Sequence, residues 1–296
     1  MGLPLPSLKT VRDLFYMPTP VPSFQGRKVL ITGAASGIGR ATALAVAAQG
    51  GELVLTDVQT GALDQVVAEI KARRGVVLYH RAGDVSDYDW VAAFARGVEA
   101  EVGVMDVVMN VAGISAWGTV ENLEHRHWKK LVDVNLMGPL RVSRAAISAL
   151  IASRGMIINI SSVGGTLGLP FQGAYSASKF ALEGLSESLR AELGSFGIKV
   201  VLIQPGDIRH QDCRVESPPP EEYAEVYKKV MRVAWDDEEK GYPPERLGPL
   251  IMKILAKKNP KLRYGFGSAF QRAVPTLKRL LPWGLFERAL RLYYKF

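Results

Sequence analysis

Short runs of apolar, often β-branched residues alternate with longer segments of helical periodicity from Lys28 onward. The runs have the length of buried strands and lie at Val29–Thr32, Leu53–Thr56, Val76–Tyr79, Val104–Met109, Met156–Ile160 and Lys199–Ile203. Amphipathic spacing predicts helices between them, at 37–49, 62–73, 87–102, 121–152 and 174–194. Strands nearly free of polar residues, separated by helices, indicate a parallel sheet covered on both faces. We therefore predict an α/β fold with a doubly wound, mostly parallel seven-stranded sheet, whose last strand lies near Leu262–Gly265.

The same pattern divides the 296 residues into three parts. Residues 1–25 are rich in proline and are predicted to form an extended arm. Residues 26–265 carry the alternating pattern, which suits one large α/β domain better than two small ones. Within this domain, residues 211–258 form a longer segment between the sixth and seventh strands. Residues 266–296 form an extension that is both basic and amphipathic.

Composition and cysteine content restrict the possible classes of protein. Hydrophobic residues make up 48% and charged residues 22%, which is an ordinary balance for a protein with a substantial core. The sequence contains no apolar run long enough for a membrane-spanning helix, and residues 1–24 lack the apolar stretch of a signal peptide. These features predict a cytoplasmic protein. The single cysteine, Cys213, excludes an intramolecular disulfide and argues against a cysteine-based metal site, so we predict a structural thiol and no metal.

Positive charge is concentrated at the end of the chain. Residues 241–296 hold twelve Lys or Arg and two Asp or Glu, a surplus of ten against +8 for the whole chain. A membrane surface, an anionic partner or a solvated face would each explain this asymmetry. No basic groove interleaved with aromatic residues accompanies it, so nucleic acid is not an expected partner.

A glycine-rich turn, Thr-Gly-Ala-Ala-Ser-Gly-Ile-Gly at 32–39, follows the first predicted strand and opens the first helix. Small residues let the backbone turn sharply and approach a pyrophosphate, while the helix offers free N–H groups and the positive end of its dipole. Any strand-to-helix turn can require glycine, so the glycines alone do not indicate a nucleotide site. Two further features favour one: the turn lies between a strand and a helix, and an acidic residue follows 18 positions after its last glycine. Cofactor contacts are predicted from Gly33, Ser36, Gly37, Ile38 and Gly39.

The acidic residue is Asp57, at the end of the second strand. A carboxylate there can accept the ribose hydroxyls of NAD and repels the 2′-phosphate of NADP, although a strand-end Asp can also simply cap the next turn. Ser36 occupies the position in the turn where a basic residue would favour that phosphate. We therefore predict NAD as the cofactor. Arg40, which follows the turn, could neutralise the 2′-phosphate and so keeps NADP as an alternative. If the side chain of Arg40 only faces solvent, this alternative loses its support.

Two further segments end strands at the same predicted edge of the sheet. Asp84 and Val85 follow the third strand, where an adenine ring would lie, and Asn110, Ala112 and Gly113 end the fourth, on the nicotinamide side. Taken alone, Asp84 could be a helix N-cap and Gly113 a turn residue. Their order along the edge favours cofactor contacts.

Candidate proton-transfer chemistry lies further along the chain. Tyr175 and Lys179 are four positions apart on a predicted helix and so project from one face, and Ser162 precedes them. A phenol has an ordinary pKa of about 10, and we expect the neighbouring ammonium to lower the pKa of Tyr175. The phenolate could then remove an alcohol proton, while Ser162 holds the substrate oxygen and Asn135 supports Lys179. Each residue alone would be an ordinary surface or capping residue, but all four occur in the expected order.

Together these motifs resemble the short-chain dehydrogenase/reductase family across about residues 26–265. The matching pieces are 32–39, Asn-Val-Ala-Gly at 110–113, Asn135, Ser162, Tyr175-Ser-Ala-Ser-Lys179 and Pro205-Gly206. The resemblance implies a Rossmann-like fold, a Ser–Tyr–Lys centre assisted by Asn, and hydride transfer with a nicotinamide cofactor. It also implies a dimer or tetramer packed through the helices that carry Asn135 and Tyr175. The segments at 161–171 and 180–185 especially resemble hydroxysteroid and retinol dehydrogenases.

The family resemblance extends the predicted cofactor site and shows two departures. It implies nicotinamide contacts from Pro205, Gly206 and the backbone of Ile208. His210 stands where the family often has a threonine that touches the nicotinamide amide or the phosphate. Val111 stands where a second Asn is common. Neither departure removes a proton-transfer residue.

Residues 211–258 occupy the place where this family builds a substrate-covering lid. Tyr223, Tyr227, Met231 and Trp235 recur there at helical spacing, and packing against the sheet is favoured over direct ligand contact.

The extension at 266–296 has several possible roles. Its last segment places apolar Leu285, Ala289, Leu292 and Tyr293 on one side, with Trp283, Phe286 and Tyr294 nearby and Arg288, Arg291 and Lys295 elsewhere. This pattern fits contact with an anionic membrane surface. Alternatively the extension packs over the substrate entrance or on another subunit.

The leading hypothesis is an NAD-dependent oxidoreductase that acts on a bulky apolar secondary alcohol or ketone, steroid- or retinoid-like, with Tyr175 as the acid and base. A reductase of small carbonyl metabolites is the first alternative. A nucleotide-binding sensor or scaffold that retains only the fold is the second, and the intact set of candidate catalytic residues argues against it.

Overall fold

The computed structural model describes residues 24–209 and 214–296. The predicted proline-rich arm, apart from its last two residues, lies outside the described residues. Cys213 and His210 lie outside them as well, so the predictions made for these two side chains stay predictions.

A seven-stranded sheet forms the centre of the molecule, and all of its described strand pairs are parallel. The order is β3-β2-β1-β4-β6-β7-β9, so the direction of winding reverses between β1 and β4. The strands are β1 (Lys28–Thr32), β2 (Glu52–Thr56), β3 (Val76–His80), β4 (Val107–Asn110), β6 (Met156–Ile160), β7 (Lys199–Pro205) and β9 (Arg263–Phe266). The predicted doubly wound sheet is confirmed. At such a reversal the carboxyl ends of the strands leave a crevice for a ligand.

Helices bury both faces of the sheet, as the continuous apolar strands require. One face is covered by α1 (Gly37–Ala48), α2 (Thr60–Ala72) and α8 (Gly248–Leu255). The other is covered by α3 (Tyr88–Glu101), α5 (Gly138–Ser153) and α6 (Gly173–Leu193).

The helical stretch predicted at 121–152 is helical from residue 125 to 153, but it is interrupted. The chain forms α4 (His125–Val132) and α5, joined by a π-helical turn at Asp133–Met137. Pro139 has no N–H, so it cannot donate the α-helical hydrogen bond to the carbonyl four residues earlier, at Asn135. The break therefore coincides with one of the candidate site residues.

A small second sheet and three further helices lie beside the carboxyl edge. β5 (Ser115–Trp117) pairs in parallel with β8 (Arg214–Glu216), and α7 (Ala224–Glu239), α9 (Ala269–Leu280) and α10 (Trp283–Tyr294) follow. Met231 is buried in α7 against Trp117 of β5, and Tyr227 packs edge-on against Phe171, which lies in a turn and not in the predicted sheet. Tyr223 and Trp235 are exposed instead, because the buried face of α7 centres on Val230 and Met231.

No helix in the described ranges combines the length and apolar character needed to cross a membrane.

Candidate active site

The glycine turn lies where β1 meets α1, beside the end of β4. Gly33 has φ +65°, and a Cβ on it would lie 2.8 Å from the backbone of Ala112. A Cβ on Gly39 would overlap the carbonyl oxygen of Gly33. The turn therefore needs glycine at both positions because its own backbone segments approach so closely.

The start of α1 presents donors that the helix does not use. N–H groups in the first turn of a helix have no intrahelical acceptor, and here they belong to Gly37, Ile38 and Gly39. The side chain of Ser36, the N-cap residue, makes no capping hydrogen bond. Unused donors at the positive end of a helix dipole fit the pyrophosphate of a dinucleotide.

Asp57 supports this turn directly. Its carboxylate is 7% exposed and accepts the N–H of Ala35 at 3.0 Å and of Gln59 at 2.9 Å. Asp57 therefore caps the turn that follows β2, as the alternative interpretation predicted. The same carboxylate also borders the glycine turn. Arg40 forms an ion pair with Glu69 at 2.6 Å.

Other residues predicted to contact the cofactor use their side chains within the protein. Asp84 forms an ion pair with Lys130 at 2.6 Å; partial burial raises the pKa of Asp84, but hydrogen bonds from Lys130 and Ser86 outweigh it and hold the pKa below its usual value. Val85 is buried in the core below α5. The amide of Asn110 donates to Ser143 at 3.0 Å and to Asn159 at 2.8 Å, in a buried network.

Ser162, Tyr175 and Lys179 line one cavity of about 300 Å³. Gly164 lies between the first two side chains, since a Cβ on it would be 3.5 Å from Ser162 Oγ and 3.2 Å from Tyr175 Cε1. Ser162 Oγ accepts the N–H of Gly164 at 3.0 Å, which leaves its own proton available for donation. Lys179 is 5% exposed; its Nζ donates to the Ile160 carbonyl oxygen at 2.9 Å and lies 5.7 Å from the centre of the Tyr175 ring.

Asn135 lies in the π-helical turn and is fully buried. Its Oδ1 accepts the N–H of Ile114 at 2.9 Å, and its Nδ2 donates to the Ile114 carbonyl at 2.9 Å and to Ser178 Oγ at 3.0 Å. These bonds hold the segment after β4 against α6. A Cβ on Gly113 would be 3.3 Å from Asn135 Oδ1 and 3.6 Å from Lys179 Nζ, so this segment brings the two side chains close together.

Seven of the predicted cofactor residues line this cavity: Tyr175 and Lys179, which are also expected to contact the cofactor, and Ile38, Gly113, Pro205, Gly206 and Ile208. The N–H of Gly206 donates to the Phe266 carbonyl at 2.7 Å, and Ile208 is buried. The predicted set thus divides into a group at the cavity and a group along the turn and the ends of β2, β3 and β4. Within the described residues, no cluster of His, Cys, Asp and Glu could hold a metal ion.

The cavity also contains residues that the sequence-based reasoning missed. Asp207 and Asp237 line it, together with Phe270, Gln271 and Val274 of α9 and Phe286, Ala289 and Tyr293 of α10. The extension therefore forms one side of the cavity. Packing over the substrate entrance was one of its predicted alternatives. Of the side predicted to be apolar, Leu285 and Leu292 are 53% and 79% exposed. A capping box, Ser268 with Gln271, marks the start of α9 in the sequence.

A parallel sheet with a glycine turn at its switch point and a serine, tyrosine and lysine at the same edge defines a nucleotide-binding α/β protein. The model of the protein family described as short chain dehydrogenase matches residues 27–220. The chain is 34% identical over 276 residues to the 3-ketodihydrosphingosine reductase of Bacteroides thetaiotaomicron, which covers 91% of this chain and 98% of that protein. The chain belongs to the short-chain dehydrogenase/reductase family, a family of oxidoreductases.

Two solved structures support the fold and show both cofactors. A short-chain dehydrogenase/reductase from Burkholderia phymatum in complex with NAD is 26% identical, with a TM-score of 0.76 over 87% of this chain and 94% of that one. A metagenomic short-chain oxidoreductase in complex with NADP is 30% identical, with a TM-score of 0.67 over 83% of this chain and 98% of that one. The predicted family and fold are confirmed, and the cofactor class is a nicotinamide dinucleotide, NAD or NADP.

Proposed function

We propose that the protein reduces the carbonyl group of a long, largely apolar ketone, or oxidises the corresponding alcohol. The observation that carries the proposal is the cavity in which Ser162, Tyr175 and Lys179 share a wall with apolar residues of α9 and α10. The relative of matching length that is named a 3-ketodihydrosphingosine reductase favours a long-chain ketone. A steroid- or retinoid-like substrate stays a prediction within the same bulky, apolar class.

Tyr175 is the general acid in reduction and the general base in oxidation. Ser162 donates a hydrogen bond to the substrate oxygen, because its Oγ already accepts a backbone N–H and its own proton is available. The ammonium of Lys179 favours the phenolate that forms when Tyr175 loses its proton. Asn135 acts as a positioning residue through Ile114 and Ser178. A nicotinamide dinucleotide supplies or accepts the hydride when bound.

NAD fits this edge of the sheet better than NADP. The residues that would hold it are those of the glycine turn, the strand ends and the segment after β7 that the sequence predicts. Asp57 places a negative charge beside the turn, which disfavours a 2′-phosphate. Arg40, the basic residue nearest in sequence, is paired with Glu69 and so is less available to neutralise that phosphate.

Three predictions concern lipid contact, oligomeric state and cellular location. Contact with an anionic lipid surface is supported by exposed Leu280, Trp283, Leu285 and Leu292, which lie among the basic residues of the extension. A homo-oligomer built through the helices that carry Asn135 and Tyr175, and a cytoplasmic location, stay predictions.

The experiment measures initial rates of NADH oxidation with 3-ketodihydrosphingosine, a steroid ketone, retinal and a short ketone, with NADPH in parallel. We expect the long-chain ketone to be reduced and NADH to be preferred. Tyr175→Phe is expected to lose about 10²–10⁴-fold in kcat while still binding NADH, because it lacks only the transferable proton. Tyr88→Phe, at a 61% exposed position on α3, is the matched control.

Each outcome separates the alternatives. Preferred turnover of the short ketone would favour a small-metabolite reductase. NADH binding without turnover of any compound, or full activity in Tyr175→Phe, would refute the proposed chemistry and favour a nucleotide-binding sensor.

A further inference from the structure

Three carboxylates lie in the wall of the cavity that Tyr175 lines. Asp207 lies two residues after the end of β7, and Asp237 and Glu238 lie near the end of α7. The surrounding side chains of α9 and α10 are mostly apolar. A carboxylate in such a wall loses hydration, which is unfavourable unless donors or a cation replace the water.

Among the described residues, the side-chain donors to Asp207 and Asp237 are neutral. Gln271 Nε2 donates to Asp207, and the hydroxyl of Tyr293 donates to Asp237. Neither carboxylate has an ion-pair partner within residues 24–209 and 214–296. The pair therefore places negative charge in the cavity without a compensating cation from the described chain.

The charge is concentrated at this pair. Burial, together with the charges of Asp237 and Glu238, raises the pKa of Asp207 to about 6. Glu238 is neutralised differently, because Arg214 donates to both of its oxygens at 2.9 and 2.7 Å. A cation bound at Asp207 and Asp237 would reduce their mutual repulsion. An organic cation suits the pair, since the described residues hold no metal-binding cluster.

Two buried polar residues of the same cavity wall add an independent indication of a ligand. Trp117 is 4% exposed and Ser115 is 7% exposed, and both line the cavity from β5. The indole Nε1 of Trp117 and the hydroxyl of Ser115 have no hydrogen-bond partner in the part of the chain that the structure describes. Buried polar groups are normally satisfied, so two unsatisfied groups in residues of this wall favour a cavity that takes a polar ligand.

We propose that Asp207 and Asp237 bind the ammonium group of a long-chain amino ketone and of the amino alcohol formed from it. The inference rests on the proposed function, because the carbonyl to be reduced must lie at Tyr175 in the same cavity. The alkyl chain lies against α9 and α10.

The test compares two ketones of equal chain length, 3-ketodihydrosphingosine and the same hydroxy ketone without the amino group. The wild-type protein is expected to prefer the amine by about 10- to 100-fold in kcat/KM, the range for hydrogen bonds to a charged group. Asp237→Asn is expected to reduce this preference about tenfold, mainly by raising the KM of the amine. Asp237→Glu should recover part of it. Asp236→Asn, at an exposed position of the same helix, makes the same charge change as a control.

A binding measurement separates this inference from the proposed function. Tryptophan fluorescence titrations compare dihydrosphingosine with its analogue that lacks the amino group, in the presence of NADH. Selective binding of the amine without turnover would refute the proposed function and support the acidic pair. Equal binding and equal turnover of the two compounds would overturn the inference and leave the proposed function in place. An equal loss for both compounds in Asp237→Asn would also overturn it, because it would assign Asp237 only to anchoring α10 through Tyr293.

Discussion

Replacing Asp207 with asparagine is expected to change how stability depends on pH. Burial and the charges of Asp237 and Glu238 raise the pKa of Asp207 from 3.8 to about 6. The folded state therefore binds this proton more tightly than the unfolded state, and the wild-type protein loses stability as the pH rises through this interval. A difference of about 2.2 in pKa corresponds to about 3 kcal/mol. Asp207→Asn has no proton to lose, so its stability relative to wild type should rise by about 2 kcal/mol between about pH 4.5 and about pH 7.5.

Urea denaturation followed by tryptophan fluorescence at several pH values measures this difference. Asp237, Glu238 and Tyr293 remain in both proteins, so the two proteins differ only in the side chain at position 207. Asp236→Asn is the control, because its exposed carboxylate should give curves parallel to wild type. Parallel curves for Asp207→Asn as well would refute the reasoning, since they would show that folding does not perturb this carboxyl group.

Two further predictions concern the frame of the site. Glu183→Ala should lower the free energy of unfolding measured in urea by about 1–3 kcal/mol, because the buried amide of Gln204 loses its acceptor. Arg263 also loses Glu183 but keeps its ion pair with Glu187. Exposed Glu192→Ala on the same helix should change the free energy of unfolding little. Gly39→Ala should weaken NADH binding about tenfold or more and destabilise the protein by about 1–3 kcal/mol, since its Cβ would overlap backbone. Titration and scanning calorimetry would measure the two effects. Gly61→Ala is the control, because a Cβ at this position would have no other atom within 4 Å. Unchanged NADH affinity in Gly39→Ala would contradict the turn geometry.

The central sheet could be predicted because its strands are buried on both faces. Such strands must be almost wholly apolar, and the helices between them must be amphipathic, so the order of elements is visible in the sequence. The break at Pro139 was not predicted because proline is well tolerated in the first turn of a helix, and a continuous helical pattern runs across it. The consequence for Asn135 becomes visible only when its contacts with Ile114 and Ser178 are known.

The glycine turn and the strand ends at the carboxyl edge could be predicted for a similar reason, since glycine spacing and strand ends are local signals. The acidic and aromatic wall of the cavity could not be predicted. Asp237 belongs to the run Trp-Asp-Asp-Glu-Glu at 235–239, which has the composition of a solvated helix end. Its place in the cavity depends on Tyr293, which is 56 residues away in the sequence. Periodicity within α7 and α10 shows which residues share a face, but not which distant residues that face meets.

The placement of α9 and α10 has a consequence for how specificity can diversify. The segment that the family model matches ends at residue 220, whereas the helices that close the cavity begin at Ala269. Under the proposed function, recombination or gradual change within residues 266–296 would therefore exchange the helices that face the substrate and leave the central sheet and its glycine turn unchanged. A chimaera with residues 266–296 on another family member would receive the two helices proposed to contact the alkyl chain. To bind the ammonium group as well, it would also need Asp207 and Asp237.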